Sequence, residues 1–228
     1  MSGSAGQRGC DYALQVAFRT WVWLVCRRDQ SDRGVLVCGF FTPDTGYEEE
    51  ASRLLQSCRQ HCLEHLIVAV GGCASWLEAV LFKPHFVMQC LRGIAGSGYA
   101  GVLYTDADSI VRRAPALERF VGLDFAAHWF RRRGAASDEL LSGTLYFGCT
   151  PAARALVRAW IASTPLYRHH GTPEQAALAE VFAERAAELK WMRMGPEMCF
   201  ICDDSRLAYP NVEPVIEHFQ ASRRRRHR

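Results

Sequence analysis

The sequence contains no stretch of eighteen consecutive apolar residues, the approximate minimum for a helix that crosses a membrane. Its first residues also lack the charged start, apolar centre and small-residue cleavage site of a secretory signal peptide. No internal repeat is present, and only the arginine-rich end is low in complexity. We therefore expect a protein without a membrane span that stays in the cytoplasm, where it is made.

Lysine is scarce as well, since only Lys83 and Lys190 occur. Five arginines lie between Arg223 and Arg228, and removing their charges from the formal net charge of +3 leaves −2 for the rest of the chain. An acidic body whose basic residues do not alternate with aromatic ones is a poor candidate for a nucleic-acid-binding groove. The arginine-rich tail alone keeps that class open, as a disordered basic arm for nucleic acid or another acidic surface.

The ten cysteines are scattered and lie mostly inside apolar runs. Without a secretory signal, this pattern favours buried thiols over a disulfide framework. Cys199 and Cys202 form a C-x-x-C motif, but no second pair accompanies it, so a redox or zinc role is not favoured.

The length of 228 residues predicts one domain with a sizeable core. Short apolar runs bounded by turn formers alternate with helical patterns, which favours an α/β/α sandwich with a mostly parallel central sheet. We assign 35–222 to this domain, 1–34 to an N-terminal extension whose role the sequence does not indicate, and 223–228 to a basic tail. The predicted strands are 34–41, 66–70, one that carries the stretch 102–111, 124–129 and 140–148, and the predicted helices are 48–63, 84–91, 151–163 and 173–189.

The most informative stretch is the apolar run from Val102 to Val111, which Asp106 and Asp108 interrupt. Residues i and i+2 of a strand point to the same side, so the two carboxylates should converge where the strand ends. Carboxylates placed together repel each other unless a divalent cation lies beside them, and oxygen ligands suit Mg²⁺ or Mn²⁺. Ligands of open α/β sheets bind beyond the carboxyl ends of the strands. The alternative is an ordinary turn with two solvated acids.

The chain resembles nucleotide-diphospho-sugar glycosyltransferases of the GT-A fold, of the Asp-x-Asp type. The resemblance covers roughly residues 35–222 and consists of six motifs in the family's order rather than close identity. The motifs are Phe41-Thr42-Pro43 to Tyr47, Lys83-Pro84, Leu103 to Asp108, Ser142 to Phe147, Glu174-Gln175, and Ile216 to Gln220.

This resemblance implies a metal-dependent transfer of a sugar from a nucleotide-diphosphate donor, with a UDP-sugar favoured, to a hydroxyl of an unknown acceptor. The acceptor could be a glycan, a small molecule, a protein or a nucleic acid. Asp108 would bind Mn²⁺ or Mg²⁺ directly, Asp106 would lie near the ribose or reach the metal through water, and His218 would supply a further ligand. A metal that bridges the diphosphate stabilises its charge as it leaves. The alternative for His218 is an ordinary core or surface histidine.

The remaining donor-binding candidates also come from the resemblance. Tyr47, with Thr42, would cradle the base, although Tyr47 could instead pack as a staple on the following helix. Gly143 would let the backbone approach the donor sugar, although it could be a simple bulge. The full donor-binding set is Thr42, Tyr47, Lys83, Asp106, Ser142, Gly143 and Arg223, the last because the tail could fold over the diphosphate.

An inverting transferase needs a general base for the acceptor hydroxyl, and a retaining one need not show it. Glu174 and Asp138 are the catalytic candidates, and we prefer Glu174. Glu174 could also be a first-turn acid favoured by the helix dipole, and Asp138 a loop acid. A nucleotidyltransferase on the same fold is an alternative activity, although the loop from Phe41 to Tyr47 has no basic residue for a phosphate loop.

Overall fold

The computed structural model describes residues 34–73, 75–132 and 134–221. The strands are β1 (Val35–Phe41), β2 (His65–Ala69), β3 (Gly101–Thr105), β4 (Ser109–Val111), β5 (Phe125–Phe130), β6 (Glu139–Gly148), β7 (Trp191–Arg193), β8 (Phe200–Ile201) and β9 (Ile216–His218). The α-helices are α1 (Tyr47–Gln60), α2 (Trp76–Gly93), α3 (Pro151–Ser163), α4 (Pro173–Arg185) and α5 (Cys202–Ala208).

Six strands form the central sheet in the order β2-β1-β3-β6-β5-β7. The pairs β1–β2, β1–β3 and β5–β7 are parallel, whereas β6 runs antiparallel to both β3 and β5. Within this sheet, all strands except β6 therefore point the same way, which confirms the prediction of an α/β fold with a mostly parallel sheet. A second sheet, in the order β4-β9-β8, begins just after β3.

The central sheet is covered on both faces, as its continuous apolar strands require. Along β1, Leu36 joins the core that includes Phe86 of α2 and Trp160 of α3. Its neighbour Val37 joins the opposite core, which includes Leu54 of α1. Helices on both faces leave the carboxyl ends of the parallel strands open for a site.

The prediction that a helix starts near Pro84 is wrong, because α2 already starts at Trp76. Ser75 caps it by accepting a hydrogen bond from the Glu78 backbone N–H at 3.2 Å. Pro84 is thus an interior, buried residue, although it cannot donate a backbone hydrogen bond to the preceding turn. Burial of neighbours such as Phe86, which is fully enclosed, outweighs this local penalty.

Two smaller expectations can be compared with the structure. The eight cysteines within the described ranges are free thiols, and most are buried, as predicted; Cys10 and Cys26 lie outside those ranges. Helix α4 ends at Arg185 instead of continuing to Leu189, and a short 3-10 turn follows.

The residues 1–33 and 222–228 lie outside the described part, so the predictions for the extension and the tail stay predictions. None of the described helices combines the length and hydrophobicity that crossing a bilayer requires.

Candidate metal and donor site

Asp106 and Asp108 lie in a turn between the two sheets. Strand β3 ends at Thr105, and the Ser109 backbone N–H donates to the Asp106 carbonyl at 3.1 Å. The Thr105 and Ser109 hydroxyls are 2.8 Å apart and close the turn. The two carboxylates converge just beyond the end of the strand, as predicted, but a turn brings them together rather than the alternation of residues along one strand.

The C-terminal strand brings His218 to this turn. Strands β4 and β9 pair antiparallel, with Ser109 opposite His218. Beyond β9, the Phe219 N–H donates to the Asp108 carbonyl at 3.0 Å, and the Ala221 N–H donates to Asp108 Oδ2 at 2.7 Å. The end of the described chain thus wraps around Asp108.

The side chains of Asp106, Asp108 and His218 can each offer a ligand atom, and these atoms lie within 4.8 Å of one another. Two carboxylates and an imidazole form a donor set that could hold a metal ion. Burial, followed by the neighbouring Asp106 charge, raises the pKa of Asp108 to about 6. The cluster is thus short of positive charge, and a divalent cation fits its donor set. His218 Nε2 is 2.8 Å from the Thr144 hydroxyl, which orients the ring.

Gly143 supports the cluster by lacking a side chain. Its carbonyl accepts a hydrogen bond from the Asp106 N–H at 2.9 Å. A Cβ atom at this position would lie 3.1 Å from His218 Cε1, 3.3 Å from His218 Nδ1 and 3.4 Å from Cys199 Sγ. The glycine therefore makes room for the imidazole, a role that the sequence did not suggest.

Lys83 is the buried cation of the site. Its Nζ lies 3.0 Å from Asp106 Oδ1 and 3.2 Å from Glu174 Oε1. Although burial works against the charge, Asp106 and Glu174 raise the pKa of Lys83 above its ordinary value. The Tyr104 hydroxyl also donates to Asp106 Oδ1, at 2.7 Å. Asp106 is thereby held between Lys83 and Tyr104.

Helix α4 presents Glu174 and Gln175 to strand β6. The Ser142 hydroxyl donates to Glu174 Oε1 at 3.0 Å, and the Ser142 N–H donates to Gln175 Oε1 at 3.0 Å. Trp160 Nε1 fixes the helix start by donating to the Glu174 carbonyl at 2.7 Å. The second carboxylate oxygen, Glu174 Oε2, is buried and has no hydrogen-bond partner among the described residues.

These groups lie on the wall of one cavity of about 530 Å³. Nine predicted site residues line it: Thr42, Tyr47, Lys83, Asp106, Asp108, Ser142, Gly143, Glu174 and His218. Asp138 is not among the lining residues. Its carboxylate is bound by Arg193 at 2.6 Å and Arg131 at 2.7 Å, and these hydrogen bonds hold its pKa below the usual range. The predicted donor residue Arg223 lies outside the described ranges.

Sequence reasoning overlooked several wall residues. Tyr104 lies on the wall two residues before Asp106, at the end of β3. Thr144 does not line the cavity but contacts His218, and strand alternation could have found it because it lies two residues from Ser142 on β6. The N-cap Ser75 was hidden by the misplaced start of α2. Arg132 carries no local signal, since its place on the wall depends on how β5 and β6 pair.

Comparison with solved structures finds the same fold in a glycosyltransferase. The crystal structure of a glycosyltransferase involved in the glycosylation of the major capsid of PBCV-1 matches this chain with a TM-score of 0.62 and 12% sequence identity. The match covers 85% of this chain and 97% of the other. No family model and no curated protein sequence matches the chain. At this identity the likeness establishes the fold alone.

Proposed function

We propose that the protein is a metal-dependent glycosyltransferase that moves a sugar from a nucleotide-diphosphate donor, with a UDP-sugar favoured, to an acceptor hydroxyl. The observation that carries the proposal is the Asp106–Asp108–His218 cluster on the wall of a cavity large enough for such a donor. The fold shared with a solved glycosyltransferase supports it.

Asp106, Asp108 and His218 would hold the cation, either Mn²⁺ or Mg²⁺. Once bound, it would supply the positive charge that a departing diphosphate needs. Thr42, in the loop that follows β1, and Tyr47, the first residue of α1, would hold the base at one end of the cavity.

The remaining wall residues would orient the sugar and the acceptor. Ser142 and Gly143 lie on β6 beside the cluster and would face the sugar. Lys83 holds Asp106 in place and adds a fixed positive charge to the site. Glu174 is the proposed base: Lys83 and Ser142 occupy its Oε1, whereas Oε2 has no partner in the described part.

The direct test is incubation of the protein with UDP-, GDP- and dTDP-sugars while nucleotide release is measured. Release should require Mn²⁺ or Mg²⁺, stop with a chelator and be fastest with a UDP-sugar. The variant Asp108→Asn should lose metal-dependent donor binding in calorimetry, whereas Asp203→Asn, at an exposed position on α5, should behave as wild type. Absence of release across the panel, or release unaffected by chelation, would contradict the proposal.

The contribution of His218 can be tested separately. His218→Ala should raise the dissociation constant for Mn²⁺ without abolishing binding, because the two carboxylates remain. The protein should stay folded. His169→Ala, which alters an exposed histidine, is the matched control. Wild-type Mn²⁺ affinity in His218→Ala would make His218 a structural residue.

A further inference from the structure

The cavity extends well past the metal cluster. The lining residues follow the order of the strands across the central sheet. The loops after β2 and β1 contribute Cys73 and Thr42 at one side of the cavity, and the turn after β3 contributes Asp106. The segment after β5 contributes Arg132 at the far side. A donor whose base lies near Thr42 and whose diphosphate lies near Asp106 would leave the Arg132 side open. This far side has its own polar groups.

Arg132 lies between two carboxylates. Its Nε is 2.8 Å from Glu139 Oε2, and its Nη1 is 3.0 Å from Asp204 Oδ2. All three side chains are partly exposed, at 41% for Arg132, 36% for Glu139 and 29% for Asp204. The cluster carries one positive and two negative charges, so an anionic ligand would meet net repulsion there.

A chain of hydrogen bonds connects Arg132 to the reacting end of the cavity. Glu139 Oε1 accepts from Gln175 Nε2 at 2.5 Å, and Gln175 Oε1 accepts from the Ser142 N–H at 3.0 Å. Ser142 in turn donates to Glu174 at 3.0 Å. The Arg132 end and Glu174 are thus fixed relative to each other.

The end of this network has an unused acceptor. Glu174 is 4% exposed, lines the cavity, and its Oε2 has no partner within the described ranges. A hydroxyl group is one neutral donor that would satisfy it. Leu141 and Ile201 add apolar wall to the same cavity, which suits the C–H face of a sugar ring.

We infer that the Arg132 side is the acceptor subsite and that it takes a neutral carbohydrate. Only Nε and Nη1 of the Arg132 guanidinium bind the carboxylates of Glu139 and Asp204, and its other N–H groups can donate to the oxygens of vicinal hydroxyls. Arg132, which lines the cavity, binds ring hydroxyls away from the reaction, and Glu139 and Asp204 hold its guanidinium in place. The reacting hydroxyl faces Glu174 Oε2. This inference rests on the proposed function.

The transfer step balances with these groups. The acceptor oxygen forms a bond to the anomeric carbon of the donor sugar, and the bond between that carbon and the diphosphate oxygen breaks. Its electron pair leaves with the diphosphate. The proton of the acceptor hydroxyl passes to Glu174 Oε2.

The test measures nucleotide release from the metal-loaded enzyme with and without methyl glycosides of glucose, galactose and mannose. The matched anionic probe is the methyl glycoside of glucuronic acid. At least one neutral glycoside should accelerate release and yield a disaccharide by mass spectrometry, and the glucuronide should be poorer by about tenfold or more. No acceleration by any neutral glycoside, or preference for the glucuronide, would overturn the inference.

Two variants locate the subsite. Arg132→Gln should raise the acceptor KM by about tenfold or more relative to the donor dissociation constant, because a charged hydrogen-bonding group is lost. Arg131→Gln, whose side chain pairs with Asp138 away from the cavity, is the control. Should Arg132→Gln not fold, Asp204→Asn must show the same selective rise. An unchanged acceptor KM in Arg132→Gln would refute the subsite. If the wild-type protein bound no nucleotide-sugar donor at all, the proposed function would be refuted instead.

Discussion

Replacing Gly143 by alanine should weaken metal binding through His218. The added Cβ would lie 3.1 Å from His218 Cε1 and 3.3 Å from its Nδ1, both inside ordinary van der Waals separation. Restoring a normal contact requires the ring to retreat by about 0.3–0.6 Å. Metal–ligand distances in proteins lie within about 0.2 Å of their standard values, so a shift of this size would weaken the bond from the imidazole.

The magnitude follows from two effects. Disturbing the groups that orient a ligand costs about 10–100-fold in metal affinity, which we expect for the Mn²⁺ dissociation constant. Overpacking a buried contact costs about 1–3 kcal/mol, which should lower the free energy of unfolding. The Cys199 thiol, 3.4 Å from the added atom, leaves little room for relaxation on the other side.

The assay is a Mn²⁺ titration followed by electron paramagnetic resonance of the free ion, combined with urea denaturation. Gly171→Ala is the matched control, because a Cβ at this position meets nothing within 4 Å. Wild-type Mn²⁺ affinity in Gly143→Ala, together with a folded protein, would refute the argument that Gly143 positions His218.

Three further predictions concern the buried cation, the tail and a core histidine. Replacing Lys83 by methionine leaves the carboxylate of Glu174, whose side chain is 5% exposed, without its cation, and should lower the free energy of unfolding in urea by about 3–5 kcal/mol. The double variant with Glu174→Gln should recover part of this loss, and a loss below about 1 kcal/mol would contradict the prediction. Arg223 to Arg228 follow closely after Ala221, which binds Asp108, and deleting them should raise the donor dissociation constant in calorimetry by about tenfold or more if the tail covers the diphosphate. Unchanged donor affinity, together with loss of a salt-sensitive nucleic-acid gel shift, would support the basic-arm alternative. Burial lowers the pKa of His128, so below about pH 6.5 the unfolded chain binds a proton that the folded protein does not, and the free energy of unfolding should decrease as the pH is lowered. His128→Gln should show a smaller decrease between pH 8 and 5.5, and identical slopes would count against a neutral buried histidine.

Elements whose signals are local could be predicted from the sequence. Helix α3 was expected at 151–163 and is found at Pro151–Ser163, because Thr150 caps it by accepting from the Ala153 N–H at 3.1 Å and Pro151 occupies its first turn. The buried strands β1 and β3 were equally clear, since apolar runs between turn formers specify them without reference to partners. From these elements the sequence alone determined the α/β class and the Asp106–Asp108 motif beyond a strand.

Local rules failed where packing opposed them. Proline penalises a helix interior, yet Pro84 lies inside α2 because its neighbours are fully buried. Strand periodicity placed Asp106 and Asp108 on one strand, but the chain turns after Thr105 to start a second sheet. In both cases the free energy of tertiary burial and strand pairing exceeds the local preference.

Only the tertiary structure decided which residues meet at the site. Lys83 and Glu174 are 91 residues apart and in contact, and Ala221 reaches Asp108 across 113 residues. The position of Arg132 on the cavity wall, and of Asp138 away from it, likewise follows from the order and register of strands. Such contacts are specified by the cooperative burial of many apolar side chains at once, and no periodicity within a single segment carries that information.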